Sequence, residues 1–338
     1  MSSDSEQRLC GVVLINSGTP ASPNPEDVKP YLAEFLSDTH LISVPPLIWQ
    51  RILHTFILPK RQYASAERYQ QIWTEEGSPL LVTSRQQSHA VQTALDRKHP
   101  ESFLVKAGMR YGEPSLRTVL KQLEQAGCKH IVAIPLFPQT AHSTTKTCID
   151  KLEELRASFP NLTFSYVEGY STQELYLQAM TEQIASHWEH QPGSKLVYTF
   201  HSVPCKHLQQ GDTYVDEITT SMTEVSKRLN LNDEDWCIAY QSRFEDSRKW
   251  VGPGIMTTLR TLVNEGVSRI AVVTPGFAAE CLETLYDCEI EQRKFFETLC
   301  HQKGLTPAFT YIPALSSHPL FIDMLADLVE QNSEIPNA

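Results

Sequence analysis

His201 closes the run Leu196-Val-Tyr-Thr-Phe200 and is followed by Ser202-Val-Pro204. The run is apolar, β-branched and aromatic without helical spacing, and Pro204 bars its extension, so it predicts a buried strand that ends at His201. In open α/β sheets ligands gather beyond the carboxyl ends of the strands, which puts His201 at the mouth of a cleft. Imidazole exchanges protons near neutrality, and its neutral form binds metals. A hydrogen-bonded structural histidine at a strand end is the plainer alternative. A second constellation follows Pro275-Gly-Phe277, where Glu283, Asp287 and Glu291 recur at every fourth residue. On an α-helix that spacing stacks the carboxylates on one face, where like charges repel by about 0.2–0.5 kcal/mol per neighbouring pair. The stretch is therefore either a solvated acidic face or a place where a cation relieves the repulsion. Carboxylates and imidazole together suit divalent first-row metals such as Fe²⁺ without choosing among them. Cys281, two residues before Glu283, points elsewhere on a helix and counts as a neighbour, not a ligand.

The elements that must position these groups alternate along the chain. Gly11-Val-Val-Leu-Ile15 predicts a strand, broken by Gly18 and Pro20, and Val28, Tyr31, Leu32, Phe35 and Leu36 give the next segment helical spacing. Further strands are predicted at Phe103–Met109, Ile131–Ile134, around Phe164, at Trp236–Tyr240, at Ile270–Val273 and near Phe309. Helices are predicted at Ser65–Trp73, Ser84–Leu95, Leu116–Gln125 and His318–Val329, the last packing back on the first half. Strands alternating with helices imply βαβ units and a mainly parallel sheet. The pattern also recurs. Gly127 to Phe137 resembles Gly266 to Phe277, and Ile15–Pro20 resembles Phe200–Pro204, each a strand emptying into a serine-containing, proline-terminated turn. The expected fold is α/β, with two similar Rossmann-like domains: residues 8–163 plus 314–338, and residues 164–313, the latter carrying His201 and Glu283.

A length of 338 residues suits two domains, and 41% hydrophobic with 20% charged residues is a globular balance. A formal net charge of −11 without a long basic block argues against nucleic acid as a partner. Met1–Gln7 is polar and lacks the apolar core of a signal peptide, and no later run approaches the roughly 18 apolar residues of a membrane span, so the expectation is a cytoplasmic protein. The eight cysteines form no CxxC pair, as fits reduced thiols better than a disulfide framework. Tyr31–Leu58 is rich in Leu, Ile, Phe and Trp around Pro45 and Pro46. It is either a buried helical pair or an exposed apolar lip that touches a greasy ligand or a membrane surface.

Several blocks together carry a resemblance. Phe200-His-Ser-Val-Pro204, Gly211-Asp-Thr-Tyr214, Tyr240-Gln-Ser-Arg-Phe244 and Pro275-Gly-Phe-Ala-Ala-Glu-Cys-Leu-Glu-Thr-Leu285 are similar to blocks of the ferrochelatase family. So, in the same order, are Tyr31-Leu-Ala-Glu-Phe-Leu-Ser-Asp38, Ile72-Trp-Thr-Glu-Glu-Gly-Ser-Pro79, Met109-Arg-Tyr-Gly112 and Pro135-Leu-Phe-Pro-Gln139. The resemblance implies a two-half chelatase fold with a cleft between the halves. It implies insertion of ferrous iron into protoporphyrin IX to give protohaem, the terminal step of haem biosynthesis. His201 then accepts pyrrole protons or binds the metal, with Glu283 as its carboxylate partner. Asp287 and Glu291 match a path for protons or cations, Arg110 and Tyr111 lie near the porphyrin edge, and Ser17 faces the macrocycle opposite His201. Fe²⁺ is a substrate, no prosthetic group is expected, and without the family's C-terminal cysteine set no iron–sulfur cluster is expected. The partners expected are protoporphyrin IX and Fe²⁺ on a monomer, with transient contact at the inner-membrane surface left open. Three positions depart from the family pattern. Ser202 stands for a glycine, so its Cβ moves the His201 loop if glycine-type backbone angles are needed; Ser17 stands for a bulkier residue, and Lys146 for a glycine. A chelatase for another metal or tetrapyrrole and a non-catalytic porphyrin or haem carrier are the alternatives, although a carrier has no need of three carboxylates in line.

Overall fold

The computed structural model describes residues 9–42, 44–243 and 248–333. Two four-stranded sheets organise them, every pairing parallel. Strands β1 (Cys10–Gly18), β2 (Phe103–Tyr111), β3 (His130–Pro135) and β4 (Thr163–Tyr166) form the first, in the order β2-β1-β3-β4. Strands β5 (Ser194–His201), β6 (Trp236–Gln241), β7 (Arg269–Val273) and β8 (Ala308–Ile312) form the second, in the order β6-β5-β7-β8. All eight fall on the predicted apolar runs. The equivalent orders explain the internal repeat: Gly127–Phe137 and Gly266–Phe277 contain β3 and β7, and Ile15–Pro20 and Phe200–Pro204 carry the ends of β1 and β5 into the loops that follow. Parallel strands are covered on both faces and so read as unbroken apolar runs; Val12, Val13, Leu14 and Ile15 of β1 have no exposed surface.

The chain divides into two compact units, one comprising Met1–Leu136, Ser143–Gly169 and Ser317–Ala338, the other Phe137–His142 and Tyr170–Ser316. The boundary expected between residues 163 and 164 is corrected by β4, which pairs with β3 in the register Ile131↔Phe164 and so closes the first sheet instead of opening the second. The short stretch after β3 also departs from expectation. Phe137–His142 belongs to the second unit, where Pro138 accepts from the backbone N–H of Tyr170 and Thr140 donates to Glu217. The last helix, Pro319–Asn332, packs in the first unit on the helix Pro79–Lys98, and Lys98 reaches Asp327 and Glu330 at 3.3 and 3.1 Å.

In each sheet the strand order reverses beside the central strand, β1 or β5, and such switch points are where open α/β sheets bind ligands. Ser17 stands near the end of β1 and His201 at the end of β5. Gly18 finishes β1 at φ 124, and a Cβ there would lie 1.9 Å from the Tyr111 carbonyl oxygen, so only glycine lets these strand ends come so close.

Residues 46–72 run as helix Pro46–Ile52, π-helical Leu53–Ile57 and helix Leu58–Ile72. Leu53 and Leu58 are buried, whereas Leu47 is 90% and Phe56 68% exposed, and Ile48 and Tyr63 are also exposed. Tyr31–Leu58 thus divides between the two alternatives: Leu32, Leu36, Leu41, Ile42, Leu53 and Leu58 are buried, and the exposed lip is made by Leu47, Ile48 and Phe56. Among the described residues no helix is long and apolar enough to cross a membrane.

Candidate active site

His201 is partly buried at the end of β5, in register with Gln241 at the end of β6. Its Nδ1 lies 2.7 Å from the carbonyl oxygen of Ser202. A carbonyl only accepts, so Nδ1 donates to it, and in the neutral ring Nε2 is then the nitrogen left to take a proton or bind a metal. Ser202 is bonded into this loop. Its N–H donates to Gln241, its hydroxyl donates to the Val251 carbonyl at 2.8 Å, and it is not among the residues with positive φ. Position 202 therefore needs no glycine-type backbone angle, the condition on which its Cβ was expected to move the loop. The left-handed residue nearby is Ser242, at φ 58.

Gln241, 3% exposed, joins β5, β6 and the acidic segment. Its Oε1 accepts from the Thr199 hydroxyl at 3.2 Å, the Cys288 thiol at 2.9 Å and the Gln292 amide at 2.7 Å. Its Nε2 donates to the backbone carbonyl of Glu283 at 3.1 Å. One amide thus fixes where Glu283 begins its helix relative to His201. Sequence reasoning assigned no role to Gln241, although it sits in a block quoted for the family resemblance; a polar residue ending a buried strand, where its backbone needs no further partner, was the available signal.

The acidic segment Leu282–Gln292 is π-helical, not α-helical as the spacing predicted. Its i→i+5 backbone bonds widen each turn, and such segments occur often at functional sites. Residues four apart still share one side. Along that side exposure grows: Glu283 and Asp287 are partly buried and Glu291 is exposed. Ser242 donates to Asp287 at 2.8 Å, so the left-handed residue orients the middle carboxylate. The segment starts at a capping box in which the Cys281 N–H donates to the Thr284 hydroxyl at 2.9 Å. Burial pushes the Cys281 thiol well above its ordinary range, and the charge of Glu283 pushes the same way. The second half of the quoted block Tyr240–Phe244 ends at Phe244, which lies outside the described residues.

Arg110 and Tyr111 end β2 in the first unit, and both turn to Asp38. The Arg110 guanidinium and the Tyr111 hydroxyl reach the same Asp38 oxygen at 2.5 and 2.7 Å, and the Thr147 hydroxyl donates to it as well. His40 bridges Asp38 and Asp150 through its two ring nitrogens, each at 2.8 Å. Burial alone would raise the Asp38 pKa, but hydrogen bonds from His40, Thr147 and Tyr111 outweigh it and hold the carboxyl far below the usual range. The bond to Asp38 raises His40, and burial with the Asp38 charge raises Tyr111. Tyr111 is 2% exposed and its hydroxyl is spent on Asp38. Ser17 is partly buried in the same unit. Lys146 pairs with Asp150 at 2.8 Å.

Parallel βαβ units repeated as two like sheets, with a histidine at one switch point and a line of carboxylates beside it, define a chelatase-type protein. Solved structures agree on the fold. The sirohydrochlorin chelatase SirB from Bacillus subtilis subspecies spizizenii, in complex with cobalt, matches with TM-score 0.53 at 12% identity over 97% of both chains. A multi-domain protein from Deinococcus radiodurans with structural similarity to chelatases matches with TM-score 0.52 at 12% identity over 97% of this chain and 56% of that one. Sequence comparison is more specific. The ferrochelatase family model matches residues 10–333. The ferrochelatase of Thioalkalivibrio sulfidiphilus is 38% identical over 96% of this chain and 87% of its own length. That of Actinobacillus pleuropneumoniae serotype 7 is 39% identical over 95% and 97%. This chain belongs to the ferrochelatase family.

Proposed function

We propose that this protein inserts Fe²⁺ into protoporphyrin IX to form protohaem, with His201 and Glu283 at the reacting centre. The observation that carries the reading is the placement of His201: its Nδ1 bonds the Ser202 carbonyl, which leaves Nε2 for a proton or a metal, and Gln241, its register partner on β6, bonds the Glu283 backbone. Metal insertion releases two pyrrole protons for each divalent ion taken up, so the site needs a base near neutral pH and an anionic route to solvent. His201 serves as the base or the last metal ligand. Glu283, Asp287 and Glu291 lead from partly buried to exposed surroundings and carry protons outward or cations inward. Ser17, Arg110 and Tyr111 belong to the substrate side of this reading, Arg110 and Tyr111 by fixing the Asp38 loop. The exposed Leu47, Ile48 and Phe56 supply apolar surface for the macrocycle or for a membrane surface. The reading places the chain in the cytoplasm, where its eight cysteines, none of them in a disulfide, stay reduced.

The test is an anaerobic insertion assay with protoporphyrin and Fe²⁺, Zn²⁺ and Co²⁺ in parallel, on wild type, His201→Ala and Glu283→Gln. Fe²⁺ insertion by the wild type and its loss in both variants, with circular dichroism unchanged, is the expected result. More than about a tenth of wild-type turnover in His201→Ala would remove His201 from the centre, since a positioned acid–base group is worth about 10²–10⁴-fold. Tight porphyrin binding with no insertion of any metal would identify a carrier.

A further inference from the structure

We infer that the second unit contains a further divalent-metal site, formed by His142, His207 and Asp212, which neither the His201–Glu283 pair nor the acidic segment uses. One ligand atom from each residue lies within 4.8 Å of the other two. The two imidazole rings are 5.3 Å apart and tilted by 49°, neither stacked nor edge-on. They converge with the carboxylate, an arrangement that hydrophobic packing does not require.

The carboxylate is oriented before any ion arrives. Asp212 Oδ1 accepts from the Tyr214 N–H and Oδ2 from the His142 N–H, both at 2.9 Å. Each oxygen keeps a further lone pair for coordination, and backbone donors of this kind are what hold metal-binding carboxylates in place. The same bond ties the His142 backbone to Asp212. The His207 carbonyl accepts from the Asp212 N–H at 3.1 Å, so these two ligands are fixed by their own turn. His207 and Asp212 are 8% and 9% exposed and His142 is partly exposed, which leaves a solvent-facing side by which an ion enters and a water completes the coordination.

Two imidazoles and one carboxylate are a donor set for Zn²⁺, Co²⁺ or Fe²⁺, with three protein ligands and one open position. They do not suit Mg²⁺ or Ca²⁺, which take oxygen ligands. An ion here joins the stretch Phe137–His142 to the turn that begins a few residues beyond His201. Its role is to brace that turn, and the inference stands whether or not the chain inserts iron.

The test is anaerobic Co²⁺ titration of the His201→Ala/Glu283→Gln protein, which removes the reacting centre as a competing site. The expected result is one Co²⁺ per chain with visible d–d bands of imidazole–carboxylate coordination and a rise in Tm, because a ligand that binds only the folded state stabilises it. Adding His142→Ala should weaken Co²⁺ binding at least tenfold and abolish the Tm rise. His142→Gln, of similar size and without an imidazole, should do the same and decides the matter if the alanine variant fails to fold. In the otherwise wild-type chain His142→Ala should keep its metal-insertion turnover at saturating Fe²⁺. Absence of Co²⁺ binding in the double variant, or binding unchanged by either substitution at His142, overturns the inference.

Discussion

Replacing Gln241 by Leu tests whether one buried amide brackets the active site. The side chains are close in volume, so the cavity contribution is small and the cost is polar. The substitution strands the Thr199 hydroxyl, the Gln292 amide N–H and the Glu283 carbonyl, in surroundings where Thr199 and Gln292 are 0% and 1% exposed. Each abandoned buried group costs about 1–3 kcal/mol, and the weak Cys288 thiol donor adds least. Members of one network do not add, and the Thr199 hydroxyl can rotate, so the lower half of the sum applies, about 3–6 kcal/mol. A total stability of about 5–15 kcal/mol leaves the variant folded but fragile. Urea unfolding followed by circular dichroism reads the difference as a lower midpoint at unchanged m. Fe²⁺ insertion on the folded variant should also fall, through turnover more than porphyrin affinity, because the start of the π-helix loses its tie to β6. A loss below about 1 kcal/mol in Gln241→Leu would refute the bracketing argument.

The Asp38 cluster makes a pH prediction. His40 is raised by its bond to Asp38, so its contribution is fully present below the ordinary histidine pKa of about 6.5 and is lost as pH rises through the folded value; Asp38 and Asp150, both lowered, contribute above about 3.9 and lose that as pH falls. Unfolding free energy should decline as pH rises above about 6.5, and His40→Gln should flatten that slope; equal slopes would show that His40 is not coupled to Asp38. Gly18→Ala should cost about 2–5 kcal/mol, from a left-handed backbone and a Cβ forced against the Tyr111 carbonyl, seen as a lower Tm or as insoluble protein. Ser17→Leu, at the position the ferrochelatase resemblance assigns to porphyrin contact, adds apolar cover of some tens of Å², about 1 kcal/mol or several-fold in porphyrin affinity by fluorescence quenching. Unchanged affinity and turnover would take Ser17 away from the substrate.

The strands were legible because parallel sheets are covered on both faces: Val12–Ile15 and Leu196–Phe200 are buried throughout, apolar or aromatic but for Thr199, and are followed by Gly18 or Pro204. His201 was legible for the same reason, as the first polar group after such a run. The π-helix was not, since carboxylates four residues apart look the same whether the backbone bonds close at i+4 or i+5. Gln241 and Asp38 were hidden by their chemistry. Each is a common polar side chain whose importance lies in how many distant donors converge on it, and that convergence exists only after folding. The misplaced boundary at residue 164 has a local cause, because a four-residue strand carries too little pattern to show which sheet it joins.

The first unit is assembled from both ends of the chain, with Ser317–Ala338 returning to it and the helix Pro319–Asn332 covering the helix Pro79–Lys98. On the ribosome this inverts the usual order. Most of the first unit emerges early, yet its last helix follows roughly 180 residues after β3, which at about 5–20 residues per second is a wait of some 10–40 s. Meanwhile Phe321, Leu325 and Val329, buried in the finished protein, are absent from the face they cover. The second unit completes its sheet at β8, just before that helix is made. The half that carries His201 is thus ready first, and the half translated first must stay competent until the final turns of helix arrive.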